Sequence, residues 1–130
     1  MAGYSGTPLP KKLGIKAQNK VLLVDCPPSV RAELEDSLAD CEEGTPLDFA
    51  IAFVKKQSDL KKHFTRMQKQ LAPAGMFWVS WPKKSSGVAS DLDENIVRKI
   101  GLDAGLVDVK VCAVDEVWSG LKFVRRKADR

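Results

Sequence analysis

The hydrophobic positions of the chain form short continuous runs that alternate with stripes spaced three or four residues apart. Apolar runs at residues 21–24, 49–54 and 76–81 are typical of strands that are covered on both faces. The stripes between these runs have the period of a helix with one apolar side. They consist of Val30, Leu34 and Leu38, and of Leu60, Phe64, Met67 and Leu71.

A third helix and a hairpin are predicted after a polar loop at residues 82–90. Asp91 and Glu94 have the spacing of a capping box and indicate the start of the helix, which Gly101 or Gly105 ends. Two further apolar runs follow and are interrupted by a turn signal. These runs are residues 107–113 and 121–124, and the turn is predicted at Ser119 and Gly120.

Near the N-terminus, Thr7 is predicted to cap a short helix that Gly14 ends. Ser58 has the same predicted role at the start of the second long helix. The whole pattern predicts an α/β fold: a three-layer, Rossmann-like sandwich of about five strands with an antiparallel C-terminal hairpin. The first three strands are predicted to be parallel, because right-handed crossovers through helices join them.

The order of these three strands stays open at this stage. In the order one-two-three, two right-handed crossovers place both helices on one face of the sheet. The other face then needs the N-terminal helix, the third long helix or a second subunit to cover it. Alternatively, strand two lies on the far side of strand one.

Composition and charge narrow the class of protein. The 130 residues are 44% hydrophobic and 29% charged, which predicts one globular domain with a loose arm at residues 1–6 and a basic end at residues 125–130. A formal charge of +4 is too small to require a nucleic-acid partner. The cysteine spacing and the lack of an apolar leader predict a reduced, cytoplasmic protein, and residues 72–81 are too short to span a membrane.

Polar residues follow all three parallel strands, at the edge where open α/β sheets bind ligands. Lysine ammonium groups and serine hydroxyls there are suited to a phosphate or carboxylate, whereas a solvated basic loop is the alternative interpretation. The predicted ligand-binding residues are Asp25, Lys55, Lys56, Trp81, Lys83, Lys84, Ser85 and Trp118.

Two further groups of residues are candidates for chemistry. Asp25 and Cys26 form a potential nucleophile or proton-transfer pair, but His63 lies among lysines in a helix and is not expected to act as their base, so a structural cysteine is favoured. Cys41 and Cys112 have no His or Cys at ligand spacing, so no metal site is predicted.

The three tryptophans are expected to approach one another if the hairpin packs beside the third strand. Trp78 is predicted to lie in the core, whereas Trp81 and Trp118 either stack on a ligand or join the core.

Three segments resemble class I S-adenosylmethionine-dependent methyltransferases. They are Leu-Gly-Ile-Lys at residues 13–16, Lys-Gln-Leu-Ala-Pro-Ala-Gly at residues 69–75 and Ala-Gly-Leu-Val at residues 104–107, each leading into a predicted strand. The resemblance implies a truncated Rossmann-like fold and, as an expectation, binding of a methyl donor. That family has a glycine-rich turn after its first strand, where this chain has Asp-Cys-Pro-Pro-Ser at residues 25–29. The strand–helix unit that supplies the family's ribose-binding acid has no counterpart here.

The chain more closely resembles a small bacterial family catalogued as a domain of unknown function. The likeness covers Ala-Gly-Tyr-Ser-Gly-Thr-Pro-Leu at residues 2–9, Val-Cys-Ala-Val-Asp-Glu at residues 111–116 and Trp-Ser-Gly-Leu-Lys-Phe at residues 118–123. It implies a bacterial cytoplasmic protein and assigns no activity.

The sequence therefore predicts a non-catalytic binding domain for an anionic small molecule or a protein partner, and it names no cofactor. The first alternative is a minimal methyltransferase-like enzyme that uses Asp25. The second is weak binding of nucleic acid through the lysine-rich second helix and residues 125–130, which would weaken steeply with salt.

Overall fold

The computed structural model describes residues 7–130, so the predicted arm at residues 1–6 lies outside the described residues. The helices are α1 (Leu9–Leu13), α2 (Pro28–Leu38), α3 (Gln57–Gln70) and α4 (Glu94–Asp103). The strands are β1 (Val21–Val24), β2 (Leu47–Phe53), β3 (Leu71–Pro82), β4 (Leu106–Ala113) and β5 (Trp118–Arg125). Short 3-10 turns lie at Lys84–Ser86 and Lys127–Asp129.

One five-stranded sheet has the order β1-β2-β3-β5-β4. β1, β2 and β3 are parallel, while β5 runs antiparallel to both β3 and β4. The predicted mixed sheet with three parallel strands and a C-terminal hairpin is therefore confirmed, and the open question of strand order is settled as one-two-three.

The two crossover helices lie on opposite faces of this sheet. Val30 and Leu34 of α2 pack with Phe49 and Ile51 of β2 and with α1. By contrast, α3 packs with α4 on the other face, against the alternate residues of β2 and β3. The pair α1–α2 covers one face of the sheet and the pair α3–α4 covers the other. The three layers of the sandwich therefore come from a single chain.

This arrangement corrects the expectation that both crossovers are right-handed. Both connections step in the same direction along the sheet, so two crossovers of the same hand would put both helices on one face. Because the helices lie on opposite faces, one of the two is a left-handed connection. Left-handed parallel crossovers make up only about 2% of known cases.

Two strands are longer than predicted, because glycines there serve close packing rather than turns. β3 begins directly after α3, and Gly75 approaches the carbonyl oxygen of Leu47 so closely that no side chain fits. β5 includes Ser119 and Gly120, and a β-carbon at Gly120 would lie 3.2 Å from the Trp78 ring. The hairpin turn therefore falls at residues 114–117.

Several helix ends also differ from prediction. Pro8 rather than Thr7 precedes α1, with no side-chain capping bond, whereas Gly14 ends this helix with φ +91° as predicted. The basic end is partly ordered: Arg125 closes β5 and its guanidinium donates to the carbonyl oxygens of Leu71 at 2.6 Å and Gln68 at 3.0 Å. These bonds satisfy carbonyl groups at the C-terminal end of α3.

Candidate functional site

A cleft of about 650 Å³ opens at the carboxyl ends of β1 and β2. This is the edge at which open α/β sheets bind ligands. The cleft is lined by Asp25, Pro27, Phe53, Val54, Lys55, Lys56, Asp59, Lys62, His63 and Trp118. It therefore combines cationic, anionic and aromatic side chains.

Asp25 forms the turn by which the chain leaves β1. Its φ of +53° is in the left-handed region, which aspartate tolerates better than most residues other than glycine. Pro27 and Pro28 follow at the N-cap and first position of α2 and have no N–H to donate. The turn thus exposes the Asp25 carboxylate, while the start of α2 presents fewer amide donors than an ordinary helix.

The second wall begins where β2 passes into α3. The carbonyl oxygen of Lys55 accepts hydrogen bonds from the Ser90 hydroxyl at 2.8 Å and from the Asp91 amide at 3.1 Å. The Asp91 carboxylate in turn accepts the Gln57 amide at 2.9 Å. The loop before α4 therefore fastens the segment that bears Lys55 and Lys56.

These bonds correct two predicted helix caps. Asp91 caps α3 instead of its own helix, and Ser58 makes no capping bond there. α4 begins one residue after Asp93, whose carboxylate accepts the Ile96 amide at 2.8 Å. Aspartates two positions apart both carry the capping signal, and tertiary proximity assigns each to a different helix.

The first turns of α3 supply the remaining polar residues. Asp59, Lys62 and His63 have the spacing of three and four positions that places side chains on one helix face. Burial lowers the pKa of His63 below its usual 6.5, although the carboxylates of Asp25 and Asp59 oppose that change. The imidazole is therefore neutral at pH 7 and able to accept a proton.

His63 was not expected to act as the base for Asp25 and Cys26, but the structure places it in the same cleft as Asp25, near enough for the Asp25 charge to act on its pKa. The helical spacing from Asp59 was the available signal for it. The spacing predicts that His63 shares a helix face with Asp59, and it points to the cleft only when one also knows that α3 starts at the carboxyl edge of the sheet.

Trp118 completes the cleft from the hairpin. It pairs with Pro82 at the end of β3, and the Asp115 carboxylate accepts its amide at 2.8 Å, which fixes the turn. Its partly exposed indole meets the ring of Phe53 edge-on, with centroids 5.2 Å apart and planes at 85°. One surface of the indole is thereby held by the core while the rest faces the cleft.

The predicted site residues fall into three groups. Four of them line the cleft together: Asp25, Lys55, Lys56 and Trp118. Lys83, Lys84 and Ser85 lie at the 3-10 turn after β3, outside the cleft lining but joined to the hairpin by the bond from the Lys83 amide to the Val117 carbonyl at 2.8 Å. Their ligand-binding role stays a prediction.

Trp81 forms the third group. Its side chain is only 5% exposed and belongs to the α3–α4 face, so its ring offers no surface for stacking. Trp78 is fully buried on the opposite face, as predicted. The three tryptophans therefore do not form one cluster.

The cysteine next to the cleft behaves as a structural residue. The Cys26 thiol donates to the Pro27 carbonyl oxygen at 3.6 Å, and burial raises its pKa despite the opposing charge of Arg31. These observations favour the structural interpretation over an activated nucleophile.

Within residues 7–130, no group of three or more His, Cys, Asp or Glu side chains is placed to hold a metal ion. No helix in the same range has the length and apolar character needed to cross a membrane.

No protein-family model matches the chain, and no curated protein matches it significantly. Several solved structures are nevertheless similar to it in fold. Magnesium protoporphyrin IX methyltransferase from Synechocystis PCC 6803 superposes with a TM-score of 0.59 at 13% identity, covering 90% of this chain and 78% of that one. The 1,6-didemethyltoxoflavin-N1-methyltransferase of Burkholderia thailandensis gives 0.58 at 13% identity, with 92% and 75% covered.

Aeropyrum pernix fibrillarin, solved with natively bound S-adenosyl-L-methionine, gives a TM-score of 0.54 at 14% identity and covers 94% of this chain and 70% of that one. Identities this low carry information about the fold alone. The predicted likeness to a truncated methyltransferase is confirmed at that level. The chain has the Rossmann-like fold of the class I S-adenosylmethionine-dependent methyltransferases.

Proposed function

We propose that the protein binds a small molecule bearing an anionic group in the cleft at the ends of β1 and β2. The observation that carries this proposal is the convergence of Lys55, Lys56 and Lys62 on one cleft with the half-exposed ring of Trp118. Ammonium groups attract a phosphate or carboxylate, and an indole surface packs against a flat ring.

The acidic side chains of the cleft narrow the ligand further. Asp25 and Asp59 face the same space as the lysines, so a purely anionic ligand leaves them without a partner. A ligand that also carries an amino group or several hydroxyl donors satisfies both kinds of side chain. Nucleotides and adenosyl amino acids have this combination of groups.

The second candidate function is a minimal methyltransferase-like enzyme, and the structural neighbours favour it over a purely binding role. Structures of the Synechocystis and Burkholderia enzymes contain S-adenosylhomocysteine, and that of fibrillarin contains S-adenosylmethionine. A neutral His63 beside Asp25 is a suitable proton acceptor for such an enzyme.

The turn after β1 argues against cofactor binding in the manner of that family. Pro27 and Pro28 remove two amide donors from the start of α2, where a bound cofactor would otherwise meet the backbone. Within residues 7–130, the outer edge of β1 carries only the bridge between Lys20 and Glu42, and no strand there supplies a ribose-binding acid. These residues do not fit a cofactor cradled by that turn, so we derive no methyl-transfer step.

A thermal-shift and calorimetric titration separates the two candidates. The probes are S-adenosylmethionine, S-adenosylhomocysteine, AMP and ATP. A ligand at 100 times its dissociation constant adds about 2.7 kcal/mol of stability, which is several degrees for a domain of this size. Binding of AMP or ATP supports the anion-binding proposal, whereas binding restricted to the two adenosyl amino acids supports the enzyme. No binding of any probe contradicts both for this ligand class.

Paired charge reversals test whether the cleft is the binding place. Lys55→Glu with Lys56→Glu is expected to abolish binding without unfolding the chain, because both side chains are exposed. Lys61→Glu with Lys69→Glu is the matched control, since these exposed lysines lie on α3 outside the cleft. Equal losses in both variants would indicate general attraction by a basic protein.

The third pair, Lys83→Glu with Lys84→Glu, examines the neighbouring turn. A loss of binding comparable to that of the cleft pair would extend the site to the loop after β3. Unchanged affinity would confine the site to the cleft lining.

A further inference from the structure

Four lysines come together on the face of the sheet that α1 covers, away from the cleft. Lys110 of β4 lies directly opposite Lys122 of β5, and Lys122 in turn lies opposite Trp78 of β3. The indole of Trp78 donates to the Leu13 carbonyl oxygen at 2.8 Å, which places the end of α1 over this part of the sheet.

The same end of α1 brings in the other two lysines. The ammonium of Lys110 donates to the Lys12 carbonyl oxygen at 3.1 Å. Burial raises the pKa of the Cys112 thiol, and the charges of Lys12 and Lys110 both act to lower it. Lys16 follows in the segment after α1 and is close enough to act on the charge of Lys122. We call Lys12, Lys16, Lys110 and Lys122 the lysine patch.

Within residues 7–130, no ion pair includes a lysine of the patch. Burial lowers the pKa of the half-buried Lys122, and the charged groups that lower it further are Lys110 and Lys16, both cationic. The ion pairs of the described chain lie elsewhere: Arg98 with Glu94 and Asp108, and Lys99 with Asp103. Like charges directly opposite each other in a sheet are destabilising.

A purely structural role explains only part of this arrangement. Lys110 lies on the edge strand β4, where a lysine discourages unwanted strand pairing. Lys122 lies on β5, which has a neighbour on both sides and needs no such protection. Its position opposite Lys110 has an unfavourable electrostatic effect that the fold itself does not require.

We propose that the lysine patch binds a multiply charged phosphate group, such as a phosphate ester or a short polyphosphate. A single carboxylate neutralises one ammonium, whereas the patch presents up to four, so a multivalent anion is the better match. Lysine ammonium groups have three rotatable donors and suit phosphate oxygens without a fixed orientation.

This site is separate from the cleft. Lys122 is four residues from Trp118 on β5, a distance of about 13 Å at roughly 3.3 Å per residue. Binding at the patch therefore does not depend on the function proposed for the cleft, and loss of one leaves the other intact.

Calorimetric titration with tripolyphosphate in a phosphate-free, low-salt buffer is the test. The patch variant combines Lys110→Met with Lys122→Met, which keeps the apolar part of each side chain. The control combines Lys61→Met with Lys69→Met on the exposed side of α3. Since an ion pair at a surface contributes up to about 1 kcal/mol, or about fivefold per pair, we expect the patch variant to bind about tenfold more weakly and the control to be nearly unchanged.

A second readout follows the side chain itself. Bound phosphate stabilises the charged form of Lys122, so the pKa of its ammonium, followed by NMR, is expected to rise when tripolyphosphate is added. An unchanged pKa at saturating tripolyphosphate would overturn the proposal. So would failure of the wild-type chain to bind, or equal weakening by the patch and control variants.

A single-stranded oligonucleotide supplies the last arm of the experiment. If it binds more tightly than tripolyphosphate and both variants weaken it equally, the interaction is diffuse attraction to nucleic acid and the patch is not a site.

Discussion

The two faces of the sheet are built from the same alternating strands but differ in character. On the α3–α4 face, the ring of Phe64 meets Phe77 and Phe123 edge-on, with centroids 5.2 and 5.0 Å away, inside a continuous apolar cluster. On the α1–α2 face, the core contains a hydrogen-bonded indole, Trp78, and extends to partly exposed residues such as Trp118.

The two candidate ligand sites relate differently to these faces. The cleft takes most of its charged residues from the first turns of α3 and the two residues before it, and α3 packs on the α3–α4 face. Trp118 adds an aromatic ring to the cleft from the α1–α2 face, and the lysine patch lies on that face beside α1. The α3–α4 face is thus packed by aromatic rings, whereas the α1–α2 face adds a buried hydrogen bond and the lysine patch, and the cleft draws residues from both faces. This division makes the contribution of each face separable by mutation.

The largest expected effect comes from comparing two fully buried phenylalanines on opposite faces. Phe64→Ala is expected to destabilise the fold by about 3–5 kcal/mol. Phe49→Ala should cost about 1–3 kcal/mol less, because Phe64 makes two edge-on ring contacts worth about 0.5–1.5 kcal/mol each. No ring contact involves Phe49 among the described residues. Urea unfolding measures both, and equal losses would remove the distinction between the faces.

The next largest effect concerns the hydrogen bond from the Trp78 indole to the Leu13 carbonyl oxygen on the α1–α2 face. Trp78→Phe keeps most of the ring but leaves the Leu13 carbonyl oxygen without its donor, a loss of about 1–3 kcal/mol. Amide exchange should accelerate in α1 more than in α4. Uniform acceleration across both helices would contradict a local role for this bond.

Two aspartates allow capping by a distant residue to be compared with capping by a neighbouring one: Asp91 caps α3, far away in the chain, and Asp93 caps α4, the helix that it precedes. Asp91→Ala and Asp93→Ala should each cost about 1 kcal/mol, but at different helices. The first variant is expected to speed exchange of the Gln57 amide in α3, and the second that of the Ile96 amide in α4. Only Asp91→Ala should also weaken ligand binding in the cleft, because it removes the carboxylate that accepts the Gln57 amide and fixes the segment bearing Lys55 and Lys56.

The smallest expected effect is a pH dependence of the free energy of unfolding that comes from His63 in the cleft. Burial lowers the pKa of His63 in the folded chain, so the unfolded chain takes up the proton first as the pH falls. The neutral imidazole's contribution to stability is complete above about pH 6.5 and is lost as the pH falls below this value. His63→Gln should remove this acid-side loss, as measured by urea midpoints at pH 7.5 and 5.5. Parallel changes in wild type and variant would exclude His63 as the cause.

Much of the candidate site was accessible from the order of residues along the chain. Asp25, Lys55 and Lys56 each follow a predicted parallel strand, and parallel strands end at one edge, so their meeting could be anticipated. For Trp81 the sequence left core packing and ligand stacking open, because alternate residues of a strand point to opposite faces of the sheet and only the packing of α3 and α4 shows that the Trp81 side is covered.

The sequence by itself determined the kinds of secondary structure, their order and the mixed sheet, because hydrophobic periodicity is a local property of the chain. Only the tertiary structure decided the opposite hands of the two crossovers and the capping of α3 by Asp91. It also decided the entry of His63 into the cleft and the meeting of Lys110 with Lys122. Each of these depends on contacts between residues far apart in the chain, which packing and register select and local pattern does not record.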